Sequence, residues 1–275
     1  MPVTNPYSDH STDFYARQVI LPEIGQKGQA RLQKSRVLVV GAGGLGSPIL
    51  MALAGAGVGH LTLVDHDTVS ASNLNRQFLY TVADIGQPKA IIARERLLAY
   101  HPDIEVTVLD QTFTQELARQ VIPEQDLVLA AVDNRAARRL INHACYQLGK
   151  SWIDGGVRGF SGSVAVYRPG DTACFDCRFD LVEEDPMASA VDETDVNSTA
   201  APKTPAAPIG ALGVTASVIG SLQANLALCL LLGLGDPLQG AILYYHGRTL
   251  DFQRVPIAAR PDCPVCGQHH TDQTR

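Results

Sequence analysis

Charge is scarce in this chain: of its 275 residues, 18% are Asp, Glu, Lys or Arg, and 6% are aromatic. The net charge of −6 lacks the basic excess that phosphate backbones attract, which argues against nucleic acid as a partner. The first residues also lack a basic segment followed by an apolar run, so no secretory signal is expected. A hydrophobic content of 45% still supplies a sizeable core, and the composition predicts a soluble, cytoplasmic globular protein.

The longest stretch without any charge covers residues 204–235. Its length is sufficient to cross a membrane. However, polar residues interrupt it, among them Ser217, Gln223 and Asn225, and no basic cluster flanks it closely. We therefore interpret this stretch as a buried core helix or a subunit-interface helix, and predict no membrane span.

Short β-branched segments alternate with segments of helical spacing in the first part of the chain. The predicted strands are 36–40, 60–64, 104–109 and 126–132, and the predicted helices are 45–58, 89–100, 114–121 and 136–148. This alternation predicts right-handed βαβ units and an α/β, Rossmann-like, mostly parallel sheet. Later segments, 161–167, 241–246 and 249–254, are predicted to extend that sheet as antiparallel strands.

A glycine-rich loop, residues 41–46, joins the first predicted strand to the first predicted helix. Its glycines are Gly41, Gly43, Gly44 and Gly46. Glycine permits a tight turn and close approach of the backbone to phosphate, and the helix N-terminus adds N–H donors. Asp65, at the end of the second strand, is placed to accept hydrogen bonds from ribose hydroxyls. By itself the loop suits NAD, FAD or ATP, or glycines that serve only tight packing.

The segment after the second strand favours ATP among these options. Ser72, Asn73 and Arg76 follow that strand, and a guanidinium group pairs well with phosphate oxygens. Lys89 begins a helix, and Asp133 ends a predicted strand, where a carboxylate is well placed to hold magnesium. Taken singly, Arg76 and Lys89 are also typical surface charges, and Asp133 is a typical helix N-cap. Their combination indicates a triphosphate site.

Four of the six cysteines form two Cys-x-x-Cys pairs. They are Cys174, Cys177, Cys263 and Cys266. Two such pairs match a closed tetrahedral zinc site with a structural role, which would tie the end of the chain to the loop region after the sheet. A redox pair is the alternative, but neither pair begins a predicted βαβ helix. Cys145 and Cys229 are interpreted as core residues, and His269 and His270 as tail residues.

At these residues the sequence resembles the MoeB/ThiF family, the bacterial relatives of ubiquitin-activating enzymes, with the greatest likeness to its molybdopterin-synthase branch. The matching segments follow one another in family order over nearly the whole chain. They are residues 15–18, 41–46, 65, 73–77, 86–89, 133–134, 174–177, 220–224 and 263–266.

The resemblance implies a specific reaction. Family members use ATP and Mg²⁺ to adenylate the C-terminal Gly-Gly carboxylate of a ubiquitin-like sulfur-carrier protein, of the MoaD or ThiS type. Pyrophosphate leaves, and a separate sulfur donor later converts the acyl-adenylate to a thiocarboxylate. By this resemblance the nucleotide contacts are Gly41, Gly43, Gly44, Gly46, Asp65, Ser72 and Asn134, the phosphate-binding residues are Asn73, Arg76 and Lys89, and the magnesium ligand is Asp133. Arg17 is expected to reach the active site of the other protomer in a homodimer.

The same resemblance implies one adenylation domain spanning 1–275. It contains an N-terminal helical segment at 1–35, a nucleotide-binding half at 36–155, and an antiparallel extension at 156–275 that includes the zinc site. The crossover loop, 182–208, is acidic and rich in Ala and Pro, typical of a solvated mobile loop or of a lid.

Many relatives carry a cysteine on this crossover loop, whereas residues 197–208 have none. Thioester and persulfide chemistry need a thiolate, so the sequence predicts an enzyme that only adenylates. The altered loop leaves open the adenylation of a peptide or small carboxylate in a natural-product pathway. Two further alternatives are a nicotinamide-dependent oxidoreductase and a silent scaffold that binds a ubiquitin-like partner.

Overall fold

The structure, a computed structural model, describes residues 14–181 and 210–267 of the chain. The crossover loop at 182–208 and the pair His269 and His270 therefore lie outside the described residues.

One eight-stranded sheet organises the described chain, in the order β3-β2-β1-β4-β5-β6-β7-β8. The strands are β1 Arg36–Val40, β2 His60–Val64, β3 Glu105–Leu109, β4 Leu127–Ala130, β5 Trp152–Arg158, β6 Ser161–Tyr167, β7 Ala241–His246 and β8 Asp251–Pro256. The first five strands pair in parallel, and the last three continue the sheet as antiparallel neighbours. The predicted mostly parallel sheet with an antiparallel extension is confirmed.

Helices connect the parallel strands as the alternating pattern predicts. They are α1 Ala16–Val19, α2 Gly25–Lys34, α3 Gly46–Ala56, α4 Lys89–Tyr100, α5 Gln115–Val121, α6 Arg135–Gln147 and α7 Gly213–Leu232. The predicted helix 45–58 ends earlier, at Ala56, because Gly57 adopts a left-handed φ of 79° and caps it. The predicted strand at 126–132 is also shorter, since β4 ends at Ala130.

The sheet is covered on both faces, which explains why its central strands are apolar without alternation. Side chains of successive strand residues point to opposite faces, so Val37 and Val39 belong to one core cluster and Leu38 and Val40 to another. The first cluster includes residues of α3 and α7, and the second includes residues of α5 and α6. The two layers leave the carboxyl ends of the parallel strands as the edge where a ligand crevice forms.

The uncharged stretch forms helix α7, and this helix is part of the core. By length and composition α7 could cross a membrane, but it packs against α3, β5 and β6, and half of it is buried. Gln223 is fully buried and donates from Nε2 to the carbonyl oxygen of Ala130 at 2.9 Å, which ties α7 to the end of β4. The prediction of a core helix is confirmed.

Two glycines let α7 approach the backbone around the glycine loop. A Cβ atom at Gly220 would lie 2.5 Å from Cγ of Pro48 and 2.8 Å from the carbonyl oxygen of Leu45. A Cβ atom at Gly213 would overlap the carbonyl oxygen of Asn75. Helix α7 therefore supports both the start of α3 and the segment that carries Arg76.

Candidate active site

The loop at 41–46 has a backbone that only glycine can follow at two points. Gly41 has a φ of 100°, and a Cβ there would lie 2.5 Å from the carbonyl oxygen of Ala131. At Gly46 a Cβ would overlap the carbonyl oxygen of Gly41. The resulting tight turn leads directly into α3, where the Ser47 amide donates to the Gly43 carbonyl oxygen at 2.9 Å and closes the turn.

Asp65 lies directly after β2 and holds this loop in place. Its Oδ2 accepts a hydrogen bond from the Ala42 amide at 2.6 Å, and its Oδ1 accepts one from the Asp67 amide at 2.8 Å. Burial raises the pKa of Asp65, and the two amides oppose that shift. The carboxylate expected to bind ribose thus also organises the loop, a role that the sequence did not reveal.

Lys89 is buried, and its ammonium group is held by a partner that sequence reasoning missed. Its Nζ donates to Oδ2 of Asp67 at 2.8 Å, and the Lys89 amide donates to the Asp67 carbonyl oxygen at 2.9 Å. The hydrogen bond from Lys89 lowers the pKa of Asp67. The Tyr80 hydroxyl lies 2.8 Å from the carbonyl oxygen of Ala42 and 3.3 Å from that of Lys89. Lys89 is therefore fixed beside the glycine loop.

The segment that carries Arg76 also lies against the loop. A Cβ at Gly44 would be 3.5 Å from Cγ of Arg76, and the Arg76 guanidinium donates to the carbonyl oxygen of Ser72 at 2.8 Å. Asn73 accepts a hydrogen bond from the Ser70 amide at 3.3 Å and so stabilises the turn that precedes Arg76. Two cationic side chains, Arg76 and Lys89, thus lie beside the glycine loop.

Two buried polar atoms near the loop indicate that it fits a polar ligand. Oγ of Ser47 and Oε1 of Gln77 are buried and find no hydrogen-bond partner among the described residues. Gln77 adjoins Gly43, since a Cβ at that glycine would lie 3.5 Å from Nε2 of Gln77. Glycine backbone and two cations form a donor set suited to a nucleotide triphosphate.

Asp133 and Asn134 follow β4 on the other side of the loop. Asp133 is exposed, and its Oδ1 accepts a hydrogen bond from Nδ2 of Asn134 at 3.3 Å. Oδ1 of Asn134 accepts from the Ala137 amide at 2.8 Å and caps α6. Asn134 therefore has a structural task beside the predicted nucleotide contact, while the Asp133 carboxylate is exposed in the segment that follows β4.

Arg17 is not brought to this crevice by its own chain. It is exposed on α1, next to Gln18, whose side chain donates to the Ala56 carbonyl oxygen at 2.8 Å. Ala56 ends α3, whereas the glycine loop begins it, and the 11 residues between these points span about 16 Å. A catalytic role for Arg17 requires a second protomer.

The four cysteines converge on one buried point, with all their Sγ atoms within 4.8 Å of one another. The sulfur of Cys174 lies 3.5 Å from that of Cys263, and the sulfur of Cys177 lies 3.3 Å from that of Cys266. Sulfurs about 2.3 Å from a tetrahedral zinc are about 3.8 Å apart, so this cluster is suited to hold the ion. Its hydrogen-bonding neighbours, first Cys174, lower the pKa of Cys177 to about 4.

Helix α6 supports the cysteine cluster through Asp176, which lies between Cys174 and Cys177. Its carboxylate accepts hydrogen bonds from Nε of Arg139 at 3.1 Å and from Nε2 of His143 at 2.7 Å. The cluster and the helix that follows Asp133 are therefore one connected unit.

Replacing Asp67 by Asn is expected to destabilise the nucleotide-free protein by about 1–2 kcal/mol. The change leaves the Lys89 ammonium buried without its charged partner, although the Asp67 side chain is 54% exposed and solvent screening limits the cost. Urea unfolding measures this loss, and the double variant Asp67→Asn with Lys89→Met should recover part of it. Asp171→Asn, which breaks the exposed pair with Arg168, is the control. An equal loss of stability in Asp67→Asn and Asp171→Asn would contradict the role of Asp67 as the partner of the buried Lys89.

Comparison with known proteins identifies the family. The ThiF family profile matches residues 15–265. The sulfur carrier protein adenylyltransferase of Thermus thermophilus is 39% identical over 97% of this chain and 95% of its own length. The molybdopterin-synthase adenylyltransferase of Escherichia coli is 36% identical over 95% of this chain and 98% of its own. The crystal structure of E. coli MccB with MccA-N7isoASN shares the fold, with a TM-score of 0.76 at 22% identity, over 96% of this chain and 76% of that one. The chain thus belongs to the ThiF family and is an adenylyltransferase.

Proposed function

We propose that this enzyme uses ATP and Mg²⁺ to adenylate the C-terminal Gly-Gly carboxylate of a ubiquitin-like sulfur-carrier protein, of the ThiS or MoaD type. The observation that carries the proposal is the position of Lys89 and Arg76 against the glycine loop, with the exposed carboxylate of Asp133 in the segment that follows β4. The names of the T. thermophilus and E. coli relatives support a carrier protein as the substrate.

The arrangement suits this reaction because the attacking carboxylate is already an anion and needs no general base. Its oxygen forms a bond to the α-phosphorus of ATP, and the bond between the α-phosphorus and the bridging oxygen breaks as pyrophosphate leaves. The chain's task is alignment and neutralisation of charge. Lys89, Arg76 and the backbone of the glycine loop would stabilise the phosphates, and Asp133 would hold Mg²⁺.

The remaining features belong to the same proposal. The four-cysteine cluster would hold a structural zinc ion, with no open position for catalysis. A homodimer in which Arg17 reaches the partner's crevice would explain why Arg17 lies far from the crevice of its own chain. A separate sulfur donor would then convert the acyl-adenylate to a thiocarboxylate, in the cytoplasm.

The test is ATP–pyrophosphate exchange with purified protein and Mg²⁺, using ThiS-type and MoaD-type carriers that end in Gly-Gly. We expect exchange with an intact carrier and none with the same carrier lacking its last glycine. Exchange with short peptides or small acids, but with no carrier, would replace this proposal by the natural-product alternative. ATP binding without any exchange would favour the scaffold.

A further inference from the structure

The buried carboxylate of Asp154, on β5, contacts two arginines on the face of the sheet that α6 covers. Nε of Arg138 donates to Oδ1 of Asp154 at 2.8 Å, and Nη1 of Arg178 lies 3.5 Å from Oδ2 of Asp154. Nη2 of Arg138 also donates at 2.8 Å to the carbonyl oxygen of Val132, the residue before Asp133. This network therefore borders the proposed magnesium ligand.

A third arginine, Arg158, lies on the same face, and one of its donors has no partner among the described residues. Arg158 is four residues beyond Asp154 on β5, and the pairing of β5 with β6 continues without a bulge as far as Arg158 and Ser161. Because side chains alternate along a strand, those of Asp154 and Arg158 point to the same face of the sheet. Nη1 of Arg158 is buried and finds no acceptor among the described residues. A buried donor of this kind is costly unless an acceptor, here an anion, completes it.

Polar groups border Arg158 at the neighbouring Gly156. A Cβ at Gly156 would meet Oγ of Ser163 at 3.5 Å and Nη2 of Arg138 at 3.7 Å, both ordinary contacts. Ser163 is in turn held by Arg178, whose Nη2 lies 3.4 Å from its Oγ. The surface next to Arg158 is therefore polar.

The order of groups along the carboxyl edge of the sheet separates two anion sites. Lys89 is held by Asp67 just after β2, Asp133 follows β4, and Arg158 ends β5, whereas Arg76 lies between Gly44 and the start of α7. In a displacement at phosphorus the attacking and leaving oxygens lie roughly in line, on opposite sides of the phosphorus. Lys89, on the β2 side, suits the leaving pyrophosphate, and Arg158, at the end of β5, suits the attacking group.

We propose that Arg158 binds the terminal carboxylate of the acyl substrate and guides it to the α-phosphate, with Arg138 and Arg178 keeping the adjoining surface in shape. This assignment rests on the proposed function and names the group that recognises the substrate's charge. It makes Arg158 a specificity-determining residue for acids over their uncharged amides.

The experiment compares a ThiS-type carrier ending in Gly-Gly with the same carrier amidated at its C-terminus, by calorimetric titration with the non-hydrolysable ATP analogue present. We expect the native protein to bind the acid at least about tenfold more tightly than the amide. Arg158→Ala should remove this preference, Arg158→Lys should restore part of it, and ATP affinity should stay unchanged in both variants. Arg168→Ala, on the exposed pair with Asp171, should behave as the native protein does.

Retention of the acid preference in Arg158→Ala would overturn the inference, as would equal or undetectable binding of the two forms by the native protein. A weakened ATP affinity in Arg158→Ala would assign Arg158 to the phosphates instead and would also overturn it. ATP–pyrophosphate exchange by the native protein is measured separately. It tests the proposed function independently of the result of the calorimetric titration.

Discussion

Asp133→Asn should lower the rate of Mg²⁺-dependent pyrophosphate exchange by about a thousandfold while the protein stays folded. The amide keeps the size of the side chain and its contact with Asn134 but removes the charge proposed to hold Mg²⁺. Because Asp133 is exposed and pairs with no cation in the described chain, its replacement carries little cost in stability. Exchange kinetics at saturating ATP and a range of Mg²⁺ concentrations measure the loss.

The matched control is Asp110→Asn. Asp110 is exposed and directly follows β3, at the same edge of the sheet but at its outer end. It should exchange at the native rate, with an unchanged melting temperature. If Asp133→Asn retained more than a tenth of the native rate, Asp133 would have no role as a metal ligand.

Loss of the metal from the four-cysteine cluster is expected to destabilise the protein by at least about 5 kcal/mol, or roughly 10–20 °C in melting temperature. The ion would join the turn at Cys174 and Cys177 to the segment at Cys263 and Cys266, and through Asp176 this unit is bonded to α6. Metal analysis should find one zinc ion per chain, and Cys266→Ala should contain none and melt at the lower temperature.

Cys229→Ser serves as the control for this experiment, since Cys229 is half-buried on α7 and outside the cluster. It should keep its zinc and lose little stability. Carefully purified protein that contains no zinc, yet melts at the same temperature before and after chelation, would show that the four thiols pack without a metal.

The elements of the fold were predictable where local pattern and tertiary structure agree. Strands β6 and β7 have the predicted bounds, because each is a short run rich in apolar residues that begins after a glycine turn. Strand β8 begins at Asp251 rather than at 249, since Leu250 takes a φ of 61° in the turn before it. The N-terminal part of β5, from Trp152, is buried on both faces and gives no period-2 signal, so the sequence did not reveal it as a strand.

The candidate site was predictable in its residue types but not in its pairings. The glycine loop, Arg76 and Lys89 are brought together as their motif indicates, yet Asp67 is an exposed turn residue that nothing in the pattern links to Lys89. Arg138 has the spacing of an ordinary helix charge, and only the fold places it on Asp154. The interpretation of two core cysteines holds fully for Cys145, whereas Cys229 is partly exposed.

The close approach of α7 to the backbone around the glycine loop has a consequence for the tolerance of this gene to variation. Gly213 and Gly220 have no side chain to offer a nucleotide, a metal or a carrier, yet any larger residue at either position would push α7 away from Asn75 or Leu45. A mutational scan scored by growth should therefore find that these two positions of an uncharged helix tolerate substitution as poorly as the glycine loop does. Inactivating alleles would then arise at positions that a map of ligand contacts classifies as neutral.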